Sequence, residues 1–205
     1  MRRPFPMLAT ILVLTAATAV AKAKFTDIWT PPGLQPLSFV GQTVVALAIS
    51  EDLSLRMSAE EALTDELSKR GLRGLAAYRV IPREELRDAQ RAKGWFQGAK
   101  ATGVVSMRLV DLSRESSPAA VVWSSTPYTS FWDYYPYGWG NTFTIVPARN
   151  DTKIVIETLV YDLAGDRLIW AGTSESSNAK SVRALVEDIV EATADEMRKR
   201  GLTRR

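Results

Sequence analysis

The stretch K-I-V-I-E-T-L-V-Y-D-L-A-G-D-R-L-I-W-A-G-T-S-E, Lys153 to Glu175, reads as a β-hairpin and decides the fold class. Its first arm, Ile154–Tyr161, is rich in β-branched and aromatic residues, which suit a pleated, half-buried surface. The turn is Asp162-Leu163-Ala164-Gly165-Asp166, with Gly165 expected to supply a positive φ. The second arm, Arg167–Ser174, carries Leu168, Ile169 and Trp170. A lone hairpin is marginal in water, so these arms need further strands and a helix over one face.

The rest of the chain supplies both. Downstream, Ser181–Arg200 spells a closing helix. Val182, Leu185, Val186, Ile189, Val190, Thr193 and Met197 form its apolar stripe, acids form its solvated face, and Gly201 is its stop. Ser181 is its expected cap. Upstream, Thr43–Ser50 is a near-continuous apolar run, the pattern of a strand covered on both faces. Ser58 and Glu61 spell a capping box that opens a helix, with Ala59, Ala62, Leu63 and Leu67 on one face and Gly71 at its end. Leu75–Ile81 reads as a second strand closed by Pro82. Glu84–Lys93 reads as a second helix broken by Gly94. Gly103–Leu112 reads as a third strand, in which Ser106 and Arg108 mark the wetter face. Thr142–Pro147 adds an antiparallel strand before the hairpin. The expected class is α/β with α+β character. The order β-α-β-α-β predicts parallel strands with crossovers. An antiparallel hairpin and a C-terminal helix follow, giving a mixed sheet covered by helices.

The chain has 205 residues. Residues 1–23 have the layout of a secretory signal peptide: Arg2 and Arg3, an apolar run from Met7 to Ala21, then small residues, with cleavage after Ala21 or Ala23. The apolar run is short for a membrane span, which needs about 20 residues, and no later stretch could cross a bilayer. Residues 24–42, with Pro31, Pro32 and Pro36, read as an irregular N-terminal segment from which Trp29 plugs into the body. Residues 43–205 read as a single domain. Without residues 1–23, Lys+Arg falls from 26 to 23 and matches the 23 Asp+Glu, so the mature chain is formally neutral. That argues against nucleic acid, which needs a clustered basic face. The basic cluster Arg198, Lys199, Arg200, Arg204 and Arg205 complements a helix C-terminus instead. Cysteine is absent, so no disulfide forms and no lipid-attachment cysteine exists. The expected location is the periplasm or the outer membrane's surface, without a lipid anchor.

With no His and no Cys, a Ser-His-Asp triad, a cysteine nucleophile and the common zinc sites are all unavailable. Ser177-Asn178-Ala179-Lys180 spells S-x-x-K, yet neither K-T-G nor S-D-N accompanies it. The adjacent acids Glu51-Asp52, Asp65-Glu66, Glu84-Glu85 and Glu187-Asp188 do not share a site on a helix, because neighbours point about 100° apart. Asp162 and Asp166 flank a turn, where Asp bonds its own backbone; a calcium loop needs more oxygen ligands at regular spacing. The sequence implies no metal and no other cofactor. Glu51 and Asp52 follow the first strand at the sheet's carboxyl edge, where α/β folds place ligands, and read as solvated loop charges for want of a partner group.

One segment stands apart. At about 114–141 the chain carries an insertion whose core, Trp123 to Phe143, holds nine of the 18 Phe, Tyr and Trp residues. Pro127, Pro136, Gly138 and Gly140 interrupt regular structure there. It reads as an outward loop at one sheet edge. Trp123, Tyr128, Phe131, Trp132, Tyr134, Tyr135, Tyr137 and Trp139 are its candidate binding residues, since flat rings with polar tips suit glycans, peptides or an interfacial layer. The alternative is that the rings pack onto one another or onto the domain as a lid.

Several of these features together resemble uncharacterised bacterial envelope proteins labelled as lipoproteins or domains of unknown function. The resemblance rests on Trp29 before a Pro-rich segment, Val44-Val45-Ala46-Leu47-Ala48, Arg70-Gly71, Gly103 to Leu109, the Tyr/Pro/Gly/Trp segment, Tyr161 to Trp170 and Gly201-Leu202. Many such proteins carry a lipid-attachment cysteine and this chain has none. The element order is more distantly similar to the N-terminal domain of the TolB translocation protein, a fold analogy only. The expected function is a non-enzymatic envelope accessory protein that contacts an envelope protein or glycan through the aromatic segment. The alternatives are a carboxylate-dependent glycan hydrolase, with two acids in a groove lined by the rings, and a subunit of an envelope assembly using a sheet edge.

Overall fold

The computed structural model describes residues 23–35, 37–110, 122–142, 153–177 and 181–200. Residues 1–22 of the expected signal peptide, Thr142–Pro147 beyond its first residue, S-x-x-K beyond Ser177, and Gly201 lie outside them.

The protein is a mixed α/β fold, as its element order predicts. Six strands form one sheet in the order β1-β6-β5-β4-β2-β3. They are β1 (Lys24–Trp29), β2 (Thr43–Ile49), β3 (Arg73–Ala76), β4 (Ala101–Val110), β5 (Lys153–Asp162) and β6 (Arg167–Ser177). β2 runs parallel to both β3 and β4, while β4, β5, β6 and β1 pair antiparallel in turn. The four α-helices among the described residues are α1 (Leu53–Lys69), α2 (Ala89–Gly98), α3 (Phe131–Gly140) and α4 (Val182–Lys199).

Alternation along β2 sorts the core. Val44, Ala46 and Ala48 pack with Leu63 of α1 and Ile189 of α4. Val45, Leu47 and Ile49 pack with Phe96 of α2 and Tyr134 of α3. The sheet is thus covered by helices on both faces.

The hairpin forms as read, with two refinements. Ile169 is an extra residue, because Val160 faces Trp170 while Tyr161 faces Leu168. Asp166, not Gly165, takes the positive φ, at 42°, as Asp tolerates that region. Asp162 bonds its own turn, accepting from the Ala164 N–H at 3.1 Å.

Several boundaries differ from expectation. Residues 24–29 are an edge strand rather than irregular chain. Phe25 meets Trp170 edge-on with ring centroids 5.2 Å apart, and the partner strand lies near the other end of the sequence, so no local pattern announces it. α1 begins before Ser58. Asp52 is its cap and accepts from the Leu55 N–H at 3.0 Å, so Ser58 and Glu61 lie inside the helix and cap nothing. β3 stops at Ala76, and Ala77–Arg79 is a 3-10 turn. α2 is capped by Asp88 and passes through Gly94 instead of breaking there. Ser106 and Arg108 are buried under α3 rather than wetted.

Candidate functional site

The aromatic segment is not an outward loop. It forms α3 and lies against the sheet. Ser130 caps the helix, its hydroxyl accepting from the Trp132 N–H at 3.2 Å and the Asp133 N–H at 3.4 Å. From the hairpin turn, Asp166 accepts from the Ser130 hydroxyl at 2.7 Å and the Phe131 N–H at 2.9 Å. Phe131, Tyr134, Tyr135, Gly138 and Trp139 are buried, the i, i+3, i+4, i+7, i+8 set of an apolar helix stripe. That spacing is present in the sequence; Pro136 and the glycines obscure it. Gly138 permits the close approach, since a Cβ there would stand 2.6 Å from Cδ1 of Ile49.

Of the eight candidate residues, Trp123, Tyr128, Phe131, Tyr134, Tyr135 and Trp139 are buried, and Trp132 and Tyr137 are half-buried. Their polar tips are turned inward. The Trp123 indole donates to Asp27 at 2.7 Å, and Tyr135 donates to the Leu86 carbonyl at 2.5 Å. Tyr134 donates to Glu157 at 2.8 Å. Glu157 in turn accepts from Arg108 Nε at 3.0 Å and Nη2 at 3.1 Å, a buried two-pronged pair. Arg108 also donates to the Asn141 carbonyl at 3.0 Å. Burial and the charge of Glu157 raise the Tyr128, Tyr134 and Tyr161 hydroxyls above their ordinary range. Burial works to lower Arg108, and the charge of Glu157 outweighs it. Every one of these groups is held in its ordinary charge state near neutral pH, so the network positions α3 rather than moving protons.

The open concavity lies on the other face. A cleft of about 910 Å³ runs between α1 and α4 at the amino end of the parallel strands, with the 37–40 segment as its lip. Its floor is aliphatic: Leu63, Leu67, Val105, Val160, Val190 and Met197. Glu66 and Arg198 stand among the charged residues of its wall. Burial tends to raise Glu66, but its hydrogen bonds from Lys69 and Arg70 prevail and hold its carboxyl below the usual range. Two hydroxyls among the cleft residues, Thr158 Oγ1 of β5 and Thr193 Oγ1 of α4, are buried and make no hydrogen bond among the described residues. An unmade buried hydroxyl is costly; both are enclosed, and Thr158 as a whole is fully buried. Sequence reading misses the cleft because it assigns Thr193 to an apolar stripe and Thr158 to a strand arm.

Among the described residues, no group of three or more His, Cys, Asp or Glu could hold a metal ion. No helix among them is long and apolar enough to cross a membrane.

The fold places the chain among mixed α/β proteins with helices on both faces of one sheet. No protein-family model matches it, and no curated protein matches its sequence. It is similar to the solved PelC dodecamer from Paraburkholderia phytofirmans, at 10% identity and a TM-score of 0.47, over 87% of this chain and 99% of that one. A methionine-substituted variant of that dodecamer is similar at 10% identity and a TM-score of 0.43, over 81% of this chain and 93% of that one.

Proposed function

We propose that this protein is an exported cell-envelope binding protein, not an enzyme, and that it holds an amphiphile in the cleft between α1 and α4. The observation that carries this reading is the cleft itself: 910 Å³ of space, within the range of small-molecule sites. Its floor is aliphatic and its wall carries charged residues, Glu66 and Arg198 among them. An aliphatic floor favours an acyl or similar apolar body. The charged wall can meet its polar end. Export rests on the layout of residues 1–23. The glycan-hydrolase alternative loses its premise, because the rings expected to line a groove fill the core instead.

The test is titration of the mature chain with a dansylated fatty acid, read by dansyl fluorescence. Saturable one-to-one binding is expected. Ala194 is a half-buried cleft residue on α4, and Ala194→Trp should fill the space and weaken binding roughly tenfold or more with unchanged circular dichroism. No saturable binding, or equal binding by Ala194→Trp, overturns the reading.

A further inference from the structure

At the opposite, carboxyl end of β2 lies a second, smaller cavity of about 130 Å³. Ser50 and Glu51 of the β2–α1 connection, Arg56 of α1, Arg83 and Arg87 after β3, and Trp139 of α3 line it. This is the edge where the chain runs from β2 to β3 on one side and back to β4 on the other, the crevice that open α/β sheets use for ligands.

Arg56 is the unusual member. Its side chain is only 6% exposed, and its Nε is buried with no hydrogen-bond partner among the described residues. The carboxylate of Glu60 stands 4.0 Å from that Nε, beyond hydrogen-bonding distance. Both Glu60 oxygens are engaged elsewhere, accepting from the Ala48 N–H at 3.2 Å and the Tyr78 N–H at 2.7 Å. The Trp139 indole N–H lies near enough to the Tyr135 hydroxyl to influence it, yet makes no hydrogen bond of proper geometry. Arg56 thus brings to this small space a buried guanidinium with an unpaired donor. The acids at the rim are Glu51 and Glu84. Glu51 is bonded to Arg87 and accepts from the Thr142 hydroxyl at 3.0 Å. Three guanidinium groups face two carboxylates, and the deepest of the five is the cation.

We propose that this cavity binds a phosphate group, with Arg56 as the buried anchor and Arg83 and Arg87 closing over it from the rim. A guanidinium offers its donors in a fork that matches phosphate oxygens. The space is that of roughly four waters, enough for one phosphate group and too small for a whole cofactor. The group can belong to a soluble phosphomonoester or to a phospholipid headgroup. The site is independent of the α1/α4 cleft.

The test is calorimetric titration of the mature chain with inorganic phosphate and with glycerol 3-phosphate at low ionic strength. A parallel arm measures co-sedimentation with phosphatidic acid vesicles against phosphatidylcholine vesicles. Saturable binding is expected, and Arg56→Gln should weaken it roughly tenfold. Arg83→Gln alters an exposed side chain, so it should leave the fold intact and weaken binding by a smaller factor. Binding of soluble phosphates identifies a free ligand, and selective binding of phosphatidic acid identifies a headgroup. Failure to bind any of the three phosphates overturns the proposal, as does binding that neither Arg56→Gln nor Arg83→Gln weakens.

Discussion

Val44, Ala46 and Ala48 of β2 look toward α1 and α4, while Val45, Leu47 and Ile49, their immediate neighbours, look toward α2 and α3. The two faces solve the same packing problem with different materials. The α2/α3 face is filled by large rings whose hydroxyls are bonded inward, and it encloses the Arg108–Glu157 pair. The α1/α4 face is filled mainly by aliphatic side chains, with Trp170 and Phe25 among its rings, and leaves the cleft. A buried acid shows the contrast most directly. Glu157 on the aromatic face is held by a two-pronged arginine. Glu60 on α1 is held by two backbone N–H groups, and burial pushes its pKa up to about 7 despite those bonds and the nearby Arg56. No cation among the described residues is hydrogen-bonded to Glu60, so desolvation prevails and its acid form is favoured.

The largest effect that would break this comparison comes from Arg108→Met. It leaves Glu157 buried without its cation and should cost about 3–5 kcal/mol, read as a shift in urea midpoint. Adding Glu157→Leu and Tyr134→Phe removes the charge and its hydroxyl donor together and should recover most of that loss. If Arg108→Met alone costs under about 1 kcal/mol, water reaches the pair and the two faces do not differ as described.

Next in size is the titration of Glu60. The folded protein keeps this proton up to about pH 7, whereas an unfolded chain releases it near 4.5. Its contribution is therefore complete below 4.5 and is lost as pH rises to 7, about 3 kcal/mol in all. Urea titrations between pH 5 and 8 should show the wild type losing stability relative to Glu60→Gln as pH rises. Parallel curves would mean that Glu60 is ionised throughout, and the contrast between the faces would disappear.

The smallest effect concerns the surface ion pair that joins the cleft's two helices. Arg183 and Asp65 are 2.7 Å apart, with side chains 51% and 50% exposed. Such pairs are screened by solvent and salt. Asp65→Asn should leave the urea midpoint unchanged within error. A clear loss would show that the aliphatic face depends on its rim and not on its floor.

The amphipathic elements were the legible ones. Leu185, Val186, Ile189, Val190, Thr193 and Met197 are buried along α4 as their spacing implies, and Ser181 caps it, accepting from the Ala184 N–H at 3.1 Å. α3 was legible in principle, because its rings repeat at helical spacing, but Pro136 and Gly138 argue locally for a loop. Capping by Asp166, 35 residues from Phe131, and burial of five positions outweigh that local preference. The candidate sites were less legible still. The Glu51–Asp52 edge could be located from the strand that precedes it, but nothing in the spelling reveals that Arg56, Arg83 and Trp139 meet beside it.

By itself the sequence determined the hairpin, the parallel β-α-β order and the last helix. These depend on periodicity and turn chemistry, which act over a few residues. Only the tertiary structure decided that Lys24–Trp29 is a strand, that the aromatic segment is core, and that the open space lies between α1 and α4. Each of those depends on partners distant in sequence, whose contacts are set by how the layers pack and not by any local pattern.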